Sequence, residues 1–197
     1  MAIFPGSAIP SAADAAYEID NSLRFDDGDS AYLRKVFSLA GDRKTWTLSL
    51  WAKRGNLGTP NKALFYAGAD AFELYFYQDK LKLYVGAAVI LETSAVYRDP
   101  SSWYHIVLAL DTTQGTDTDR VKLYVNGDQV TAFGTTNYPA EDAEWDVGNA
   151  VQHSIGAWDT DDEFYDGYLA ELYYINGTAL APSSFGELDS DTNQWKP

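Results

Sequence analysis

Two segments in the middle of the chain alternate apolar and other side chains. Residues 103–111 read WYHIVLALD, and residues 121–127 read VKLYVNG. Successive side chains of a β-strand point to opposite faces, so each segment presents one continuous apolar face. The second segment ends in Asn126-Gly127, a dipeptide that favours the positive backbone dihedrals of a tight hairpin turn. The two segments therefore predict strands with one face against a core, the second followed by a turn.

The same alternation recurs along most of the chain. It covers residues 45–52 and 168–175, and residues 72–77 with 81–85 form the clearest hairpin pattern. Many short strands without a helical period are typical of an antiparallel β-sandwich. We therefore predict an all-β fold with almost no helix.

The chain divides into three parts by composition. Residues 1–20 are rich in Ala, Ser, Pro and Gly and show no period, which predicts an extended N-terminal arm. Residues 21–187 carry the strand patterns and are predicted to form one domain, since a single sandwich can run to about 200–250 residues. Residues 188–197 are predicted to be an exposed C-terminal tail.

Composition disfavours several classes of partner and site. The formal net charge of -15 disfavours nucleic acid and anionic lipid, which bind clustered Lys and Arg. No run of about 18 apolar residues is present, so no transmembrane helix is predicted. The chain has no cysteine, which excludes disulfides and thiolate metal sites. Residues 1–16 have no basic residue and no continuous apolar core, unlike a secretory leader.

Five short segments carry a family resemblance. They are residues 45–53, 103–111, 121–127, 154–156 and 166–174. In this order they resemble the strand motifs of laminin-G-like and pentraxin-like domains. The resemblance implies a concanavalin-A-like jelly roll, which is an antiparallel β-sandwich, over most of the chain.

A narrower resemblance involves shorter matches at both ends of the domain. They are residues 22–25, 44–47, 53–58, 175–180 and 182–186. These segments resemble laminin-G-like domains in virion proteins of tailed bacteriophages. That implies a non-catalytic structural and adhesive virion component (tail fibre, head fibre or capsid decoration), made in the host bacterial cytoplasm and exposed on the particle. The alternative is a free carbohydrate-binding, lectin-like module.

The expected partners follow from this interpretation. The arm carries the apolar residues Ile3, Phe4 and Ile9 without periodicity, so we expect residues 1–20 to gain order by docking onto other virion proteins. A particle component present in several copies is expected to be a homo-oligomer. A cell-surface glycan is the second expected partner.

The second face of the predicted strands carries aromatic rings. They are Trp51, Tyr75, Tyr77, Tyr84 and Tyr124. A solvated sheet face is normally polar. Rings with an apolar body and a polar tip suit stacking on sugars or contact with another protein. The alternative is that the rings pack across strands, or that loops or the arm cover them.

The resemblance also implies a calcium site at the sandwich rim. Domains of this family often hold Ca²⁺ through an Asp before the hairpin and groups on a facing loop, and Asp70 matches the first position. The loop of residues 159–163, closed by Asp166, best fits the second, and it carries Asp159, Asp161, Asp162 and Glu163. Carboxylate oxygens on a flexible loop suit Ca²⁺, which takes about 6–8 oxygen ligands. The alternative is an ordinary solvated acidic loop.

Candidate catalytic groups are few. Some relatives of this fold cut β-glucans with an E-x-D-x-x-E strand, and residues 18–23 begin that pattern but carry Leu23 at the last acid. Retaining glycosidases need two carboxyl groups about 5 Å apart, which argues against this segment. His105 is predicted to be structural, and His153 is placed in a loop without an assigned role. We therefore expect no hydrolase activity.

Overall fold

The structure is a computed structural model that describes residues 19–58, 60–68, 72–159 and 162–197. Its described part is almost entirely antiparallel β-structure in a sandwich, which confirms the predicted jelly-roll class. Most of the predicted arm, residues 1–18, lies outside the described residues.

The strands are numbered in chain order. They are β1 (Leu23–Phe25), β2 (Leu33–Val36), β3 (Thr45–Arg54), β4 (Lys62–Ala67), β5 (Phe72–Tyr77), β6 (Lys80–Val85), β7 (Ala88–Thr93), β8 (Tyr104–Asp111), β9 (Val121–Val125), β10 (Asp128–Gln129), β11 (Phe133–Thr136), β12 (Gln152–Ile155), β13 (Gly167–Asn176), β14 (Glu187–Leu188) and β15 (Trp195–Lys196). The predicted strand patterns correspond to β3, β5, β6, β8, β9 and β13, and the predicted β5–β6 hairpin is confirmed.

Two antiparallel sheets make up the sandwich. The six-stranded sheet has the order β1-β13-β3-β8-β9-β10, and the seven-stranded sheet has the order β11-β7-β6-β5-β4-β12-β2. β3 and β13, with 10 residues each, are paired in the six-stranded sheet. Strands β14 and β15 form a separate hairpin after the sandwich.

The two sheets bury their inner faces against each other. Trp46 of β3 meets Phe72 of β5 edge to face, with ring centroids 5.7 Å apart, and both side chains are fully buried. Leu108 of β8 and Leu123 of β9 belong to the same core. Edge-to-face packing of rings adds to the free energy of burying apolar surface. The alternation in residues 103–111 and 121–127 therefore arises because one face of each strand lies in this core.

Helix is confined to short turns in the described part of the chain. The α-helical turn is α1 (Asp117–Arg120), and two 3-10 turns span Asp27–Asp29 and Pro182–Ser184. None of the described helices has the length and apolar character that crossing a membrane requires.

The C-terminal segment corrects the prediction of an exposed tail. Leu188 of β14 pairs with Trp195 of β15, and the Trp195 indole N–H donates a hydrogen bond of 2.8 Å to Nδ1 of His105 in β8. The hairpin thus lies against the outer face of the six-stranded sheet. Sequence alternation missed it because two strands of two residues each are too short to show a period.

Candidate functional site

The five aromatic rings of the predicted binding face do not share one surface. Tyr75, Tyr77 and Tyr84 lie on β5 and β6 of the seven-stranded sheet, whereas Trp51 and Tyr124 lie on β3 and β9 of the six-stranded sheet. The outer faces of the two sheets point in opposite directions, because the inner faces enclose the core. The expectation of a single aromatic face is therefore wrong.

The rings of the seven-stranded sheet have protein neighbours. The ammonium of Lys82 lies 4.6 Å from the centroid of the Tyr77 ring and forms an ion pair of 2.6 Å with Glu92. Tyr75 is only 7% exposed, and Tyr84 is half-buried. Cross-strand and cation–π packing account for these rings.

On the six-stranded sheet, His105 connects the outer face to the C-terminal hairpin. Its ring stacks on Trp51 and on Trp195, with centroids 4.7 Å and 5.9 Å away. An indole N–H can only donate, so Nδ1 of His105 accepts the bond from Trp195. The imidazole proton then sits on Nε2, which lies 2.9 Å from Oγ of Ser49. Burial lowers the pKa of His105 to about 4, so a neutral imidazole holds Trp195 in place.

Two glycines leave room for the Trp195 ring. Gly127, in the Asn-Gly turn after β9, has a φ of 84°, and a Cβ there would lie 2.4 Å from the ring. A Cβ on Gly186 would lie 2.9 Å from the same ring. The Asn126-Gly127 dipeptide, which the sequence identifies as a turn, therefore also forms the surface on which the Trp195 ring packs. We call this surface the seat of the hairpin.

Asn126 supplies a fixed polar group beside this seat. Its Oδ1 accepts a hydrogen bond of 2.8 Å from the backbone N–H of His105, and its own N–H donates to the His105 carbonyl. Among the described residues, no partner binds the Asn126 Nδ2 group, and the residue is exposed. Its amide N–H groups are therefore free to donate to a ligand.

A groove of about 890 Å³ lies between the Asn-Gly turn and the hairpin. We name it the tryptophan groove, because its lining includes Trp51, Trp103 and Trp195. Asn126 and Asp128 contribute polar groups to the same lining. Its volume falls within the range of about 300–1,000 Å³ that is usual for small-molecule sites.

A second hollow of about 370 Å³ adjoins the tryptophan groove. We name it the side hollow; it shares Trp51 and Pro197 with the groove, and it is also lined by Glu171, Tyr173 and Phe185. The rings of Tyr173 and Phe185 stack with centroids 6.1 Å apart. The two depressions therefore form one continuous, ring-lined surface on the six-stranded sheet.

The sequence prediction included Trp51 but missed Trp103 and Trp195. Trp103 precedes β8, and Trp195 comes from the segment predicted to be a free tail. Strand alternation describes faces within strands, so it assigns no position to residues at strand ends or in tails. The one available signal was four further tryptophans outside the predicted core faces, and Trp145 and Trp158, which do not line the groove, shared it.

The predicted calcium residues are only partly described. Asp70 and Asp161 lie outside the described residues. Asp159 Oδ1 accepts a hydrogen bond of 2.8 Å from Gln152, and Asp162 Oδ1 accepts one of 2.8 Å from the backbone N–H of Glu163. Both carboxylates therefore stabilise the loop locally, and each has a second oxygen.

Glu163 of this loop lies beside Glu73 of β5, and this pairing was not predicted. Glu73 of β5 is 5% exposed, and its Oε1 and the Oε2 of Glu163 are buried without a hydrogen-bond partner among the described residues. Burial raises the pKa of Glu73, and the neighbouring carboxyl of Glu163 and charge of Asp162 raise it further. Two facing acceptors without a donor require a shared proton or a bound cation to offset their loss of solvation.

A second acidic cluster lies at the same end of the sandwich. One carboxylate oxygen from each of Asp26, Asp27 and Asp166 lies within 4.8 Å of the others. Lys62 already forms an ion pair of 2.6 Å with Asp27, which lowers the pKa of that carboxyl. This cluster is therefore partly neutralised by the chain itself.

The second histidine corrects the sequence assignment. His153 lies on β12 rather than in a loop, and it is buried. Its Nε2 accepts a hydrogen bond of 3.0 Å from the N–H of Gly148, and its Nδ1 lies 3.0 Å from the carbonyl of Val151. Both ring nitrogens are occupied, so His153 has a structural role. Glu18, which begins the incomplete glucanase pattern, lies outside the described residues.

Solved structures share the fold at low sequence identity. Domain 4 of an extracellular arabinanase from Geobacillus stearothermophilus, in complex with arabinotriose, is 24% identical, with a TM-score of 0.51. The match covers 72% of this chain but only 65% of the arabinanase structure.

Two further structures show the same likeness. A heptameric SAP-like pentraxin from Limulus polyphemus is 15% identical, with a TM-score of 0.54 over 72% of that chain and 78% of this one. The sialidase module CBM40 of Ruminococcus gnavus, bound to α2,3-sialyllactose, is 13% identical, with a TM-score of 0.51 over 96% of that chain and 79% of this one. At these identities the likeness shows the fold alone.

Family membership rests on the sequence. Among curated proteins, none is significantly similar to this chain. A family model for the concanavalin A-like lectin/glucanases superfamily matches residues 25–184, which is most of the chain and runs from the last residue of β1 to the 3-10 turn before β14. The chain therefore belongs to the concanavalin A-like lectin/glucanase superfamily.

Proposed function

We propose that the chain is a non-catalytic glycan-binding module and that the tryptophan groove is its binding site. The observation that carries this proposal is that Trp103 and Trp195, both partly exposed, line one groove with a fixed Asn126 amide, over a floor that includes the buried Trp51. Aromatic faces stack on the C–H faces of sugars, and a few fixed polar groups orient the hydroxyls. A lectin-like fold supports the same function.

The test is a single substitution in the groove. Trp103→Ala is expected to weaken glycan binding at least about tenfold, which corresponds to a loss of about 1.4 kcal/mol. Binding is measured on a glycan array and then by calorimetry with the sugars that score. Trp158→Ala is the matched control, because Trp158 is 37% exposed and lies outside the groove lining. Equal affinities of the two variants would reject the groove as the site.

The non-catalytic part of the proposal is tested separately. Incubation with β-glucans and with every glycan that binds is expected to release no reducing ends. Turnover by the purified chain would favour the alternative of a glycan hydrolase on the same fold. Loss of that turnover in the variant Glu73→Gln would then show that the buried glutamate pair is responsible.

We further propose that the module acts on the particle of a tailed bacteriophage, as a tail fibre, head fibre or capsid decoration. The resemblance at residues 44–58 and 175–186 supports this placement. Residues 1–20 would attach it to other virion proteins, and the chain would be a homo-oligomer made in the host cytoplasm. Mass spectrometry of purified particles tests this, and finding the chain only as a free, glycan-binding monomer would favour the lectin alternative.

We also propose that Ca²⁺ binds at the acidic loop, with Glu163 and Asp162 as ligands beside Glu73. The unpartnered oxygens of Glu73 and Glu163 support this, because Ca²⁺ prefers carboxylate oxygens. Asp70, Asp159 and Asp161 remain proposed ligands because the resemblance to laminin-G-like domains implies them.

Addition of Ca²⁺ is expected to raise the melting temperature, since a ligand at about 100 times its Kd stabilises the folded state by about 2.7 kcal/mol. Glu163→Gln should remove the effect, whereas Asp20→Asn, an exposed carboxylate elsewhere, should retain it. The effect should weaken in acid, because protons compete for the same carboxylates. An unchanged melting temperature with Ca²⁺ and with chelator would contradict the proposal.

A further inference from the structure

We propose that the tryptophan groove and the side hollow together bind an uncharged glycan chain along its length and discriminate against acidic sugars. This inference rests on the proposed glycan-binding function and specifies the class of ligand. Three features of the lining carry it: its charge, its two separate ring platforms and its construction by the C-terminal hairpin.

The charge of the lining disfavours an acidic ligand. Lys196 is the single cation among the described residues that line the two depressions. Its ammonium lies 3.1 Å from Glu187 and 3.4 Å from Asp189, so two carboxylates already neutralise it. Recognition of a sugar carboxylate or phosphate usually relies on a charge-assisted bond from an available Arg or Lys.

The remaining polar groups suit neutral hydroxyls. Asp128 in the tryptophan groove presents a carboxylate, which accepts hydrogen bonds, and Glu171 in the side hollow accepts from the Tyr173 hydroxyl through Oε2 and keeps Oε1 as a second acceptor. Asn126 offers amide N–H donors at the same surface. Sugar hydroxyls both donate and accept, so they can satisfy all three groups. An anionic sugar would instead face Asp128 and Glu171 in a chain whose net charge is -15.

The arrangement of rings favours a chain over a single terminal sugar. Trp103 and Trp195 form one platform in the tryptophan groove, and Tyr173 with Phe185 forms another in the side hollow. Trp51 lies between the two platforms and lines both depressions. A ligand that uses both platforms must cross Trp51 and therefore needs several linked sugar units.

The C-terminal hairpin builds much of this site. Trp195 and Lys196 lie beyond residue 184, where the family match ends. The hairpin is held by the bond from Trp195 to His105 and by the seat at Gly127. The specificity inferred here thus depends on a segment beyond the residues that the family match covers.

Calorimetry with the full chain and two matched probe sets tests the inference. The neutral probes are short and long xylo- and arabino-oligosaccharides, and the acidic probes are oligogalacturonides of the same lengths and sialyllactose. Long neutral probes are expected to bind about tenfold more tightly than short ones, and acidic probes about tenfold more weakly than neutral probes of equal length. Salt should leave the neutral affinities unchanged, because no charge pairing is involved.

Two variants test the effect of the lining's charge and the effect of its ring platforms separately. Asp128→Lys is expected to raise the affinity for oligogalacturonides about tenfold, because it supplies the missing cation. Tyr173→Ala, at a ring that is 42% exposed, should abolish the advantage of long over short neutral probes while short probes still bind. Circular dichroism and melting temperature confirm that both variants fold.

The outcomes distinguish this inference from the function on which it rests. Acidic probes that bind as tightly as neutral ones, in a manner abolished by Trp103→Ala, would overturn the charge inference and retain glycan binding. Affinity that does not increase with length would overturn the extended site. If no probe of either set bound, and none scored on the array, glycan binding itself would be rejected.

Discussion

Gly167→Ala is expected to lower the free energy of unfolding by more than about 4 kcal/mol, which approaches the whole stability of a small domain of about 5–15 kcal/mol. Gly167 begins β13 with a φ of 138°, a conformation that L-residues rarely adopt. A Cβ there would lie 2.1 Å from the carbonyl oxygen of Lys53 and 2.9 Å from the N–H nitrogen of Gly55. Both neighbours are backbone atoms of the paired strand region, so neither can move aside without breaking the pairing.

The effect is measured by urea unfolding against a matched glycine. Gly177 also has a positive φ, of 76°, but a Cβ there would meet no atom within 4 Å. Gly177→Ala should therefore lower the free energy of unfolding by only about 1–2 kcal/mol, which is the cost of placing an L-residue at a positive φ. Similar losses for the two variants would show that the close approach at Gly167 relaxes freely, contrary to the packing described here.

His105→Gln is expected to remove much of the acid sensitivity of the fold. Burial holds the pKa of His105 at about 4, below its ordinary value of 6.5, so the folded state binds the proton less tightly than the unfolded state. The stability due to neutral His105 is therefore complete above pH 6.5 and is lost as the pH falls towards 4. The loss is at most about 3.5 kcal/mol, since the pKa falls from 6.5 to about 4 and each pKa unit corresponds to about 1.4 kcal/mol. Ser49, Trp51, Trp195 and Phe185 surround the ring, and none of them carries a charge.

Glutamine suits this test because it does not titrate. Its side-chain oxygen can accept from the indole of Trp195, and its amide can donate to Ser49, as the neutral imidazole does. Unfolding at pH 7 and at pH 4 should show a smaller difference for His105→Gln than for the wild type. His153→Gln is the control, because burial also lowers the pKa of His153 but that ring lies away from the groove.

The two histidine variants differ in a second measurement. Acid should loosen the hairpin in the wild type, so glycan binding and Trp195 fluorescence should change over the same pH range. His153→Gln should keep that coupling, and His105→Gln should lose it. Identical pH profiles of binding in all three proteins would show that His105 does not hold the hairpin.

Strands that carry uniformly apolar residues on one face could be predicted from alternation alone, even where the other face is also buried in the structure, as in β8. In β8 and β9, core residues such as Leu108 and Leu123 repeat every second position, because only that face meets the opposite sheet. β4 escaped prediction for the converse reason. All six of its residues, Lys62–Ala67, are buried, and residues 63–67 read ALFYA without a charged or strongly polar residue, so the sequence shows no alternation. The loop at Glu163 lies along it, and the carbonyl of Glu163 accepts a hydrogen bond of 2.9 Å from Ala63.

The candidate site was predictable only in part. Trp51 stood out as an aromatic residue on the second face of a strand, and Asn126-Gly127 stood out as a turn. Glu163 lies in the predicted acidic loop, but its pairing with the buried Glu73 could not be found, because the two residues are 90 positions apart and no motif joins them. The distribution of the aromatic rings over the two sheets also depends on which strands pair, and alternation within a strand does not reveal that.

Local chemistry in the sequence was sufficient for the strands, the turn at Gly127 and the family motifs, because alternation and backbone preference act between near neighbours. The tryptophan groove required the folded chain. Trp195 meets His105 across a sequence separation of 90 residues, and it does so because the sandwich places Gly127, without a side chain, beneath the docking ring. A hairpin of two short strands is at most marginally stable alone, and its sequence shows no strand pattern from which the contact with His105 could be predicted. The site therefore forms only when the hairpin packs on the folded sheet.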